Sequence, residues 1–223
     1  MEGYIQEFNE FNELQFVGEL LNGERNGKGS EFNRKGNLKF EGEYLNGKRN
    51  GKGIKYIDDK LELEFTGEYL YGHKRGGKAY YLNRRLEFQG EYLFDKKWNG
   101  KGYDNKGKII YELINGNGKV KEYDYNYYFR LEYEGQYLNG IKNGNIKEYA
   151  TQYNHLLFEG NYLNGEKNRR GKEYDYIFGN LKYEGEYLNG KYNGKGKEYY
   201  SKGIILYEGK YINGVKWNGN FMI

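Results

Sequence analysis

The stretch Phe40–Tyr56 reads FEGEYLNGKRNGKGIKY, and its reading decides the fold. Phe40, Gly42 and Tyr44 fall on one side of an extended chain, with Glu41 and Glu43 on the other. Asn46-Gly47 then ends the strand, because both residues tolerate the positive φ of a tight hairpin turn. A second pair, Asn50-Gly51, precedes KGIKYI, which reads as the return strand. Six charges and no long apolar run leave this hairpin unable to bury a core alone.

Neighbours supply what one hairpin lacks. The phrase returns as FVGELLNG at Phe16, FTGEYLYG at Phe65, FQGEYLFD at Phe88 and YEGQYLNG at Tyr133. It continues as FEGNYLNG at Phe158, YEGEYLNG at Tyr183 and YEGKYING at Tyr207, with a degraded copy, YELINGNG, at Tyr111. Successive starts lie 24, 25, 23, 23, 22, 25, 25 and 24 residues apart. A period of this length marks a repeat array in which adjacent units stack to bury a continuous face. Phe40, Phe65 and Phe88 are expected to form one ladder. Gly42, Gly67 and Gly90 form a second, leaving room for rings from the adjacent strand.

Composition agrees. Only 37% of residues are hydrophobic and the mean hydropathy is −1.09, values that suit a disordered chain. The 28 Tyr and 12 Phe overrule that reading, since amphipathic rings can build a core. With 35 Gly and no Pro, the chain suits many tight turns and uninterrupted ladders. Its 36 basic and 32 acidic residues are spread evenly, leaving a net charge of +4 and no charged tail. The absence of Cys excludes disulfides and cysteine metal sites, and suits an intracellular, cytoplasmic location. The N-terminal MEGYIQEFNEFNELQF does not read as a signal peptide. No apolar stretch approaches the roughly 18 residues of a membrane span, so any membrane contact is expected at the surface.

Tyr183, Gly185, Gly190, Gly194 and Gly196 match the hallmark Y-x-G-x-x-x-x-G-x-x-x-G-x-G position by position. Phe40, Gly42, Gly47, Gly51 and Gly53 do the same with Phe for Tyr. In these residues the chain resembles the MORN (membrane occupation and recognition nexus) repeats, over residues 16–223. The resemblance implies an all-β fold: an elongated, twisted antiparallel sheet of consecutive β-hairpins, with residues 1–15 as an N-terminal cap and 16–223 as one continuous repeat domain. Two strands per unit at ~4.8 Å each make such an array ~85–90 Å long. Three units depart from the pattern. Gly76-Gly77 reads as one residue added to the third hairpin, GEKNRRG at Gly165–Gly171 as two added, and the fifth unit has Leu113 in place of glycine. Those units are expected to carry altered tips or bulges, and the fifth to mark a bend.

No catalytic, cofactor or metal residue emerges. GKRNGKG at Gly47–Gly53 has three residues between its first glycines where a phosphate loop needs four, and Gly53 stands where the hydroxyl should be. Glu19, Glu43, Glu68, Glu91 and Glu186 form one row; Lys28, Lys52, Lys78, Lys101, Lys172 and Lys195 form another. The two rows are expected to pair across strands. Equivalent environments are the opposite of what a carboxylate acid–base pair requires. His73 and His155 sit at unrelated repeat positions, which argues against a triad or a zinc site. The rings fall on the inward strand face and the Glu row balances the cations, so nucleic acid is not expected as a partner. The residues between the two turn elements are read as hairpin tips. Arg25, Arg49 and Lys142 stand there in some units; Trp98, Tyr192 and Trp217 stand there in others. Exposed rings beside cations make candidate partner-binding residues. The other readings are insertion into an anionic lipid surface, or a ring folded back over its own hairpin.

The function expected is therefore that of a non-catalytic scaffold for protein–protein interaction or assembly. The open terminal strand WNGNFMI also suits homodimer formation by edge pairing, and EGYIQEFNEFNE caps the other end. The alternative is a peripheral membrane module that binds anionic phospholipids, weakly at this net charge. The resemblance implies roles in cytoskeletal, ciliary or membrane-junction assemblies, or as an accessory module on enzymes.

Overall fold

The computed structural model describes residues 2–57, 62–82, 84–124, 129–200 and 203–221. The protein is all-β, and its strands follow one another in chain order within two open sheets. The first sheet begins with β1 (Glu2–Phe8), β2 (Leu14–Leu21), β3 (Glu24–Phe32), β4 (Leu38–Leu45) and β5 (Lys48–Tyr56). It ends with β6 (Leu63–Leu70), β7 (His73–Tyr80), β8 (Leu86–Leu93), β9 (Lys96–Tyr103) and β10 (Ile109–Leu113). The second begins with β11 (Gly118–Asp124), β12 (Arg130–Leu138), β13 (Ile141–Ala150), β14 (His155–Leu163) and β15 (Glu166–Tyr174). β16 (Leu181–Leu188), β17 (Lys191–Tyr199), β18 (Ile205–Ile212) and β19 (Val215–Phe221) complete it. Two compact units result, Met1–Ile110 and Tyr111–Ile223.

Each hairpin closes through a two-residue turn with both φ values positive, as in Asn46 (49°) and Gly47 (75°). The mirror-image turn matches the right-handed twist of the flanking strands. Phe94-Asp95 makes the same turn without glycine, at φ 48° and 65°. The second Asn-Gly pair does something other than turn. β5 starts at Lys48, directly after the first pair, and Gly51 lies inside it at φ 95° as a β-bulge. Residues between the two pairs therefore belong to the return strand and do not form a tip. The hairpin lengths also differ from the sequence reading. Phe65 lies opposite Ala79 where Phe40 lies opposite Lys55, so the third hairpin is one residue shorter. Phe158 lies opposite Glu173, so the seventh has the standard length, with Arg169 in the bulge position at φ 59°.

The leading aromatics of all nine repeats are buried: Phe16, Phe40, Phe65, Phe88, Tyr111, Tyr133, Phe158, Tyr183 and Tyr207. The glycines explain how a single sheet achieves this. Gly42 and Gly53 face each other across the hairpin, and the ring of Phe40 lies over both. A Cβ on Gly42 would stand 2.8 Å from the Phe40 ring, and one on Gly53 closer still. The ring filling the glycine gap thus comes from the same hairpin, while the next repeat's Tyr69 packs at its edge.

Successive hairpins are also joined at their turns. Gly72 N–H donates to the Arg49 carbonyl at 2.8 Å and Tyr71 N–H to Asn50 Oδ1 at 3.2 Å. The first repeat phase runs through the fifth unit without a break, but the ladder does not. Leu113, 1% exposed, replaces the glycine of that strand, and a Cβ on Gly118 would lie 3.0 Å from it. With the glycine pair lost, the hairpin narrows to the isolated bridge Ile114↔Asn117, and the sheets divide between β10 and β11. N-terminal residues form β1, which pairs antiparallel with β2.

Replacing Gly53 by Ala should force a methyl against the Phe40 ring and cost roughly 1–3 kcal/mol in urea unfolding. Gly3→Ala, with nothing within 4 Å of the new methyl, serves as the control and should leave the midpoint nearly unchanged.

Candidate functional site

The ring lattice uses most of the titratable chemistry on its face. Nine residues after the leading ring, seven of the nine repeats place a cation over it, while the fifth carries Val120 there and the eighth Tyr192. Arg25 and Arg49 sit 4.1 Å from the centroids of Phe16 and Phe40, Lys142 4.3 Å from Tyr133 and Lys167 4.4 Å from Phe158. Such contacts gain most where water is excluded. Each cation is held by an acid: Arg25 by Glu7, Arg49 by Glu31 at 2.5 Å, and Lys142 by Glu148 at 2.7 Å. Glu31 also accepts the Tyr44 hydroxyl at 2.7 Å. Tyr44 in turn wedges edge-on between Phe16 and Phe40, at centroid distances of 5.2 and 5.8 Å. Ring, cation, acid and tyrosine form a repeating unit that crosses hairpin boundaries.

Burial pushes the Glu31 carboxyl up, but the Arg49 bond and charge, with Tyr44 and Arg25, hold it below its ordinary value of 4.5. Glu173 is lowered in the same sense by Lys182 and Lys167, against burial. On the opposite sheet face, Tyr56, Tyr149, Tyr174 and Tyr199 donate to Glu41, Glu134, Glu159 and Glu184. Burial and then the bond to glutamate push each of these hydroxyls up to about 12.

The six residues singled out by sequence separate into two groups. Arg25, Arg49 and Lys142 are ring covers. Tyr192 occupies the same repeat position and stacks on Tyr183 at 3.7 Å with the planes 2° apart. Trp98 and Trp217 stand one residue later, where other repeats carry the asparagine that bonds the next turn. Trp98 is half-buried, while Trp217 is 71% exposed in an open concavity of about 460 Å³ with Lys195, Lys210 and Ile212. The structure does not bring the six together. The Glu and Lys rows do run side by side, with Lys28 opposite Glu43 and Lys52 opposite Glu68. The Glu43 carboxylate, however, accepts the backbone N–H of Lys52 at 2.8 Å and so closes its own bulge. His73 bonds Asp95 at 2.6 Å, and the same carboxylate accepts the Lys74 N–H. Among the described residues no three metal-ligating side chains converge.

Sequence reasoning missed the loops between repeats. Asp175 Oδ1 accepts the N–H groups of Ile177 and Phe178 at 3.0 and 2.6 Å, fixing a turn that holds both side chains outward. Phe178 is 76% exposed, and Tyr176, Ile177 and Tyr153 are exposed beside it, with Tyr153 and Tyr176 edge-to-face at 5.5 Å. Asp104 builds a similar turn through Lys106 and Lys108, yet presents Asn105 and Lys106. The turn does not require apolar residues. The run YIFG at Tyr176–Gly179 was the available signal.

These features define a class, the β-hairpin repeat proteins whose core is a ladder of rings over glycines. The chain carries MORN repeats: the MORN repeat family model matches residues 16–37, 40–60, 133–145 and 183–204. These are the first, second, sixth and eighth hairpins. No curated protein matches the chain.

Two tyrosines in equivalent places test the lattice. Tyr44→Phe removes a bond to Glu31 and should cost about 1 kcal/mol. Lys55 stands opposite Phe65 where Glu31 stands opposite Phe40, and the buried Tyr69 hydroxyl has no partner among the described residues. Tyr69→Phe should therefore unfold at the same urea concentration as the parent or higher. Acid titration tests the carboxylates. Because Glu31 and Glu173 are lowered in the folded state, their stabilisation is present above about pH 4.5 and lost as pH falls through the folded values. Urea midpoints should drop below that pH, and Glu31→Gln should make the drop shallower.

Proposed function

We propose that this protein is a non-catalytic MORN-repeat scaffold that binds protein partners inside the cell. The observation that carries this reading is the rigid turn at Asp175, which holds Tyr176, Ile177 and Phe178 in solvent beside Tyr153. Clustered exposed rings with few charges are the composition of a protein-binding hot spot. On the ring-lattice face, the acids and cations are engaged in covering rings, which suits a structural role for them. Self-association through β19, whose residues are all exposed, belongs to the same reading. A second reading, binding to anionic membranes, draws on one feature: Trp217 exposed beside Lys195 and Lys210.

Affinity capture from the native cell with the intact protein and a Tyr176→Ser, Ile177→Ser, Phe178→Ser variant tests the choice. A stoichiometric protein retained by the parent and lost by the variant is expected. If no protein is retained and sedimentation shows binding to phosphatidylserine vesicles, the membrane reading replaces the scaffold.

A further inference from the structure

On the face opposite the ring lattice, four repeats of the first sheet place a glutamate three residues after the leading ring: Glu19, Glu43, Glu68 and Glu91. In the second sheet the same position holds Gln136, Asn161, Glu186 and Lys210. Three of the four residues facing that row are cations; Lys119 lies opposite Gln136, and Asn145 opposite Asn161 is the exception. Arg170 lies opposite Glu186, and Lys195 lies opposite Lys210. The single remaining acid, Glu186, accepts the backbone N–H of Lys195 at 3.2 Å. Arg169, Arg170, Lys195 and Lys210 are all exposed, and among the described residues none of the four is held in an ion pair.

The backbone adds a second observation. The bulge position is glycine at positive φ in Gly27, Gly51, Gly144 and Gly194. There the side chain of Glu19, Glu43, Gln136 or Glu186 occupies the space a Cβ would take. In the seventh repeat the position is Arg169, at φ 59°. Its neighbour is the shorter Asn161, which bonds instead to Asn145 at 2.6 Å. Two residues have changed together: one gives up an acid, and the other adds a cation in a conformation that favours glycine. Other repeats fold the same bulge with glycine, so the fold does not call for the arginine. Strain of this kind points to a binding role.

We infer that Arg169, Arg170, Lys195 and Lys210 form a docking strip for an acidic protein segment, an inference that rests on the protein-binding reading above. Charge complementarity sets the class of partner. Shape favours a chain over a membrane. Two residues back along the strands runs a parallel row, Glu159, Glu184 and Glu208, which a lipid plane would meet together with the strip. A narrow segment meets the strip alone. The concavity beside Lys195 and Lys210, with Ile212 and Trp217 in its wall, accepts one apolar side chain of that segment.

The test titrates fluorescein-labelled poly-L-glutamate with the full chain, read by anisotropy. The strip variant is Arg169→Gly, Arg170→Gln, Lys195→Gln, Lys210→Gln. The control is Lys28→Gln, Lys52→Gln, Lys78→Gln, Lys101→Gln, which removes as many charges from the first sheet. The strip variant should bind about tenfold more weakly, with the control within about twofold of the parent. Arg169→Gly alone should melt no lower than the parent, since glycine relieves the strain. Equal losses in both quadruple variants, or a lower melting temperature for Arg169→Gly, would overturn the inference. So would a strip variant that loses binding to phosphatidylserine vesicles but keeps polyglutamate. Undiminished capture of a cellular protein by the strip variant would remove the strip while leaving the protein-binding reading standing.

Discussion

An aromatic ring lying flat on two glycines is the constraint from which the rest of this structure follows. Phe40 can occupy its place because neither Gly42 nor Gly53 has a Cβ to lift it away from the sheet. A ring pressed against the backbone has one face satisfied and the other open. In a one-sheet unit no second layer is at hand to cover it. Arg49 covers it, Glu31 holds Arg49, and Tyr44 completes the acid's bonding while wedging against the ring of the previous repeat. The missing side chains of two glycines thus determine four other residues, and the last of them reaches back to the previous hairpin. Stability in such an array belongs to the interfaces between repeats as much as to the repeats themselves.

This arrangement also resolves the oddity of the composition. A chain with so low a mean hydropathy folds because its charged groups are part of the covering layer of the core. Arginine and lysine stems lie along the rings while their heads reach the acids. Repeats that lack one component show the cost. With Lys55 in the acid's place the Tyr69 hydroxyl is buried without a partner among the described residues, and Leu113 in the glycine's place interrupts the ladder.

Because one face of each sheet is consumed by this lattice, variation concentrates elsewhere. The inter-repeat loops keep their turn-forming Asx residues, as at Asp104 and Asp175, but change what they display. The opposite face keeps most of its cations, while the glutamates of the first sheet give way to Gln136, Asn161 and Lys210 in the second. A regular frame with variable decoration is how one fold can address different partners.

The hairpins, their turns, the buried rings and the repeat phase were legible in the sequence by itself, because alternation and Asn-Gly spacing are local properties of the chain. The role of the second glycine pair was not legible, since a turn and a bulge ask for the same positive φ and only the pairing partner distinguishes them. Nor was the fate of Arg25, Arg49, Lys142 and Tyr192. Moving the strand start from Lys52 to Lys48 changes these side chains from tips into covers over rings. The division at the fifth repeat, the rigid display of Phe178 and the strained Arg169 beside Asn161 were likewise decided by tertiary structure. Each depends on which residues of distant hairpins come to lie side by side, and cross-strand register sets that.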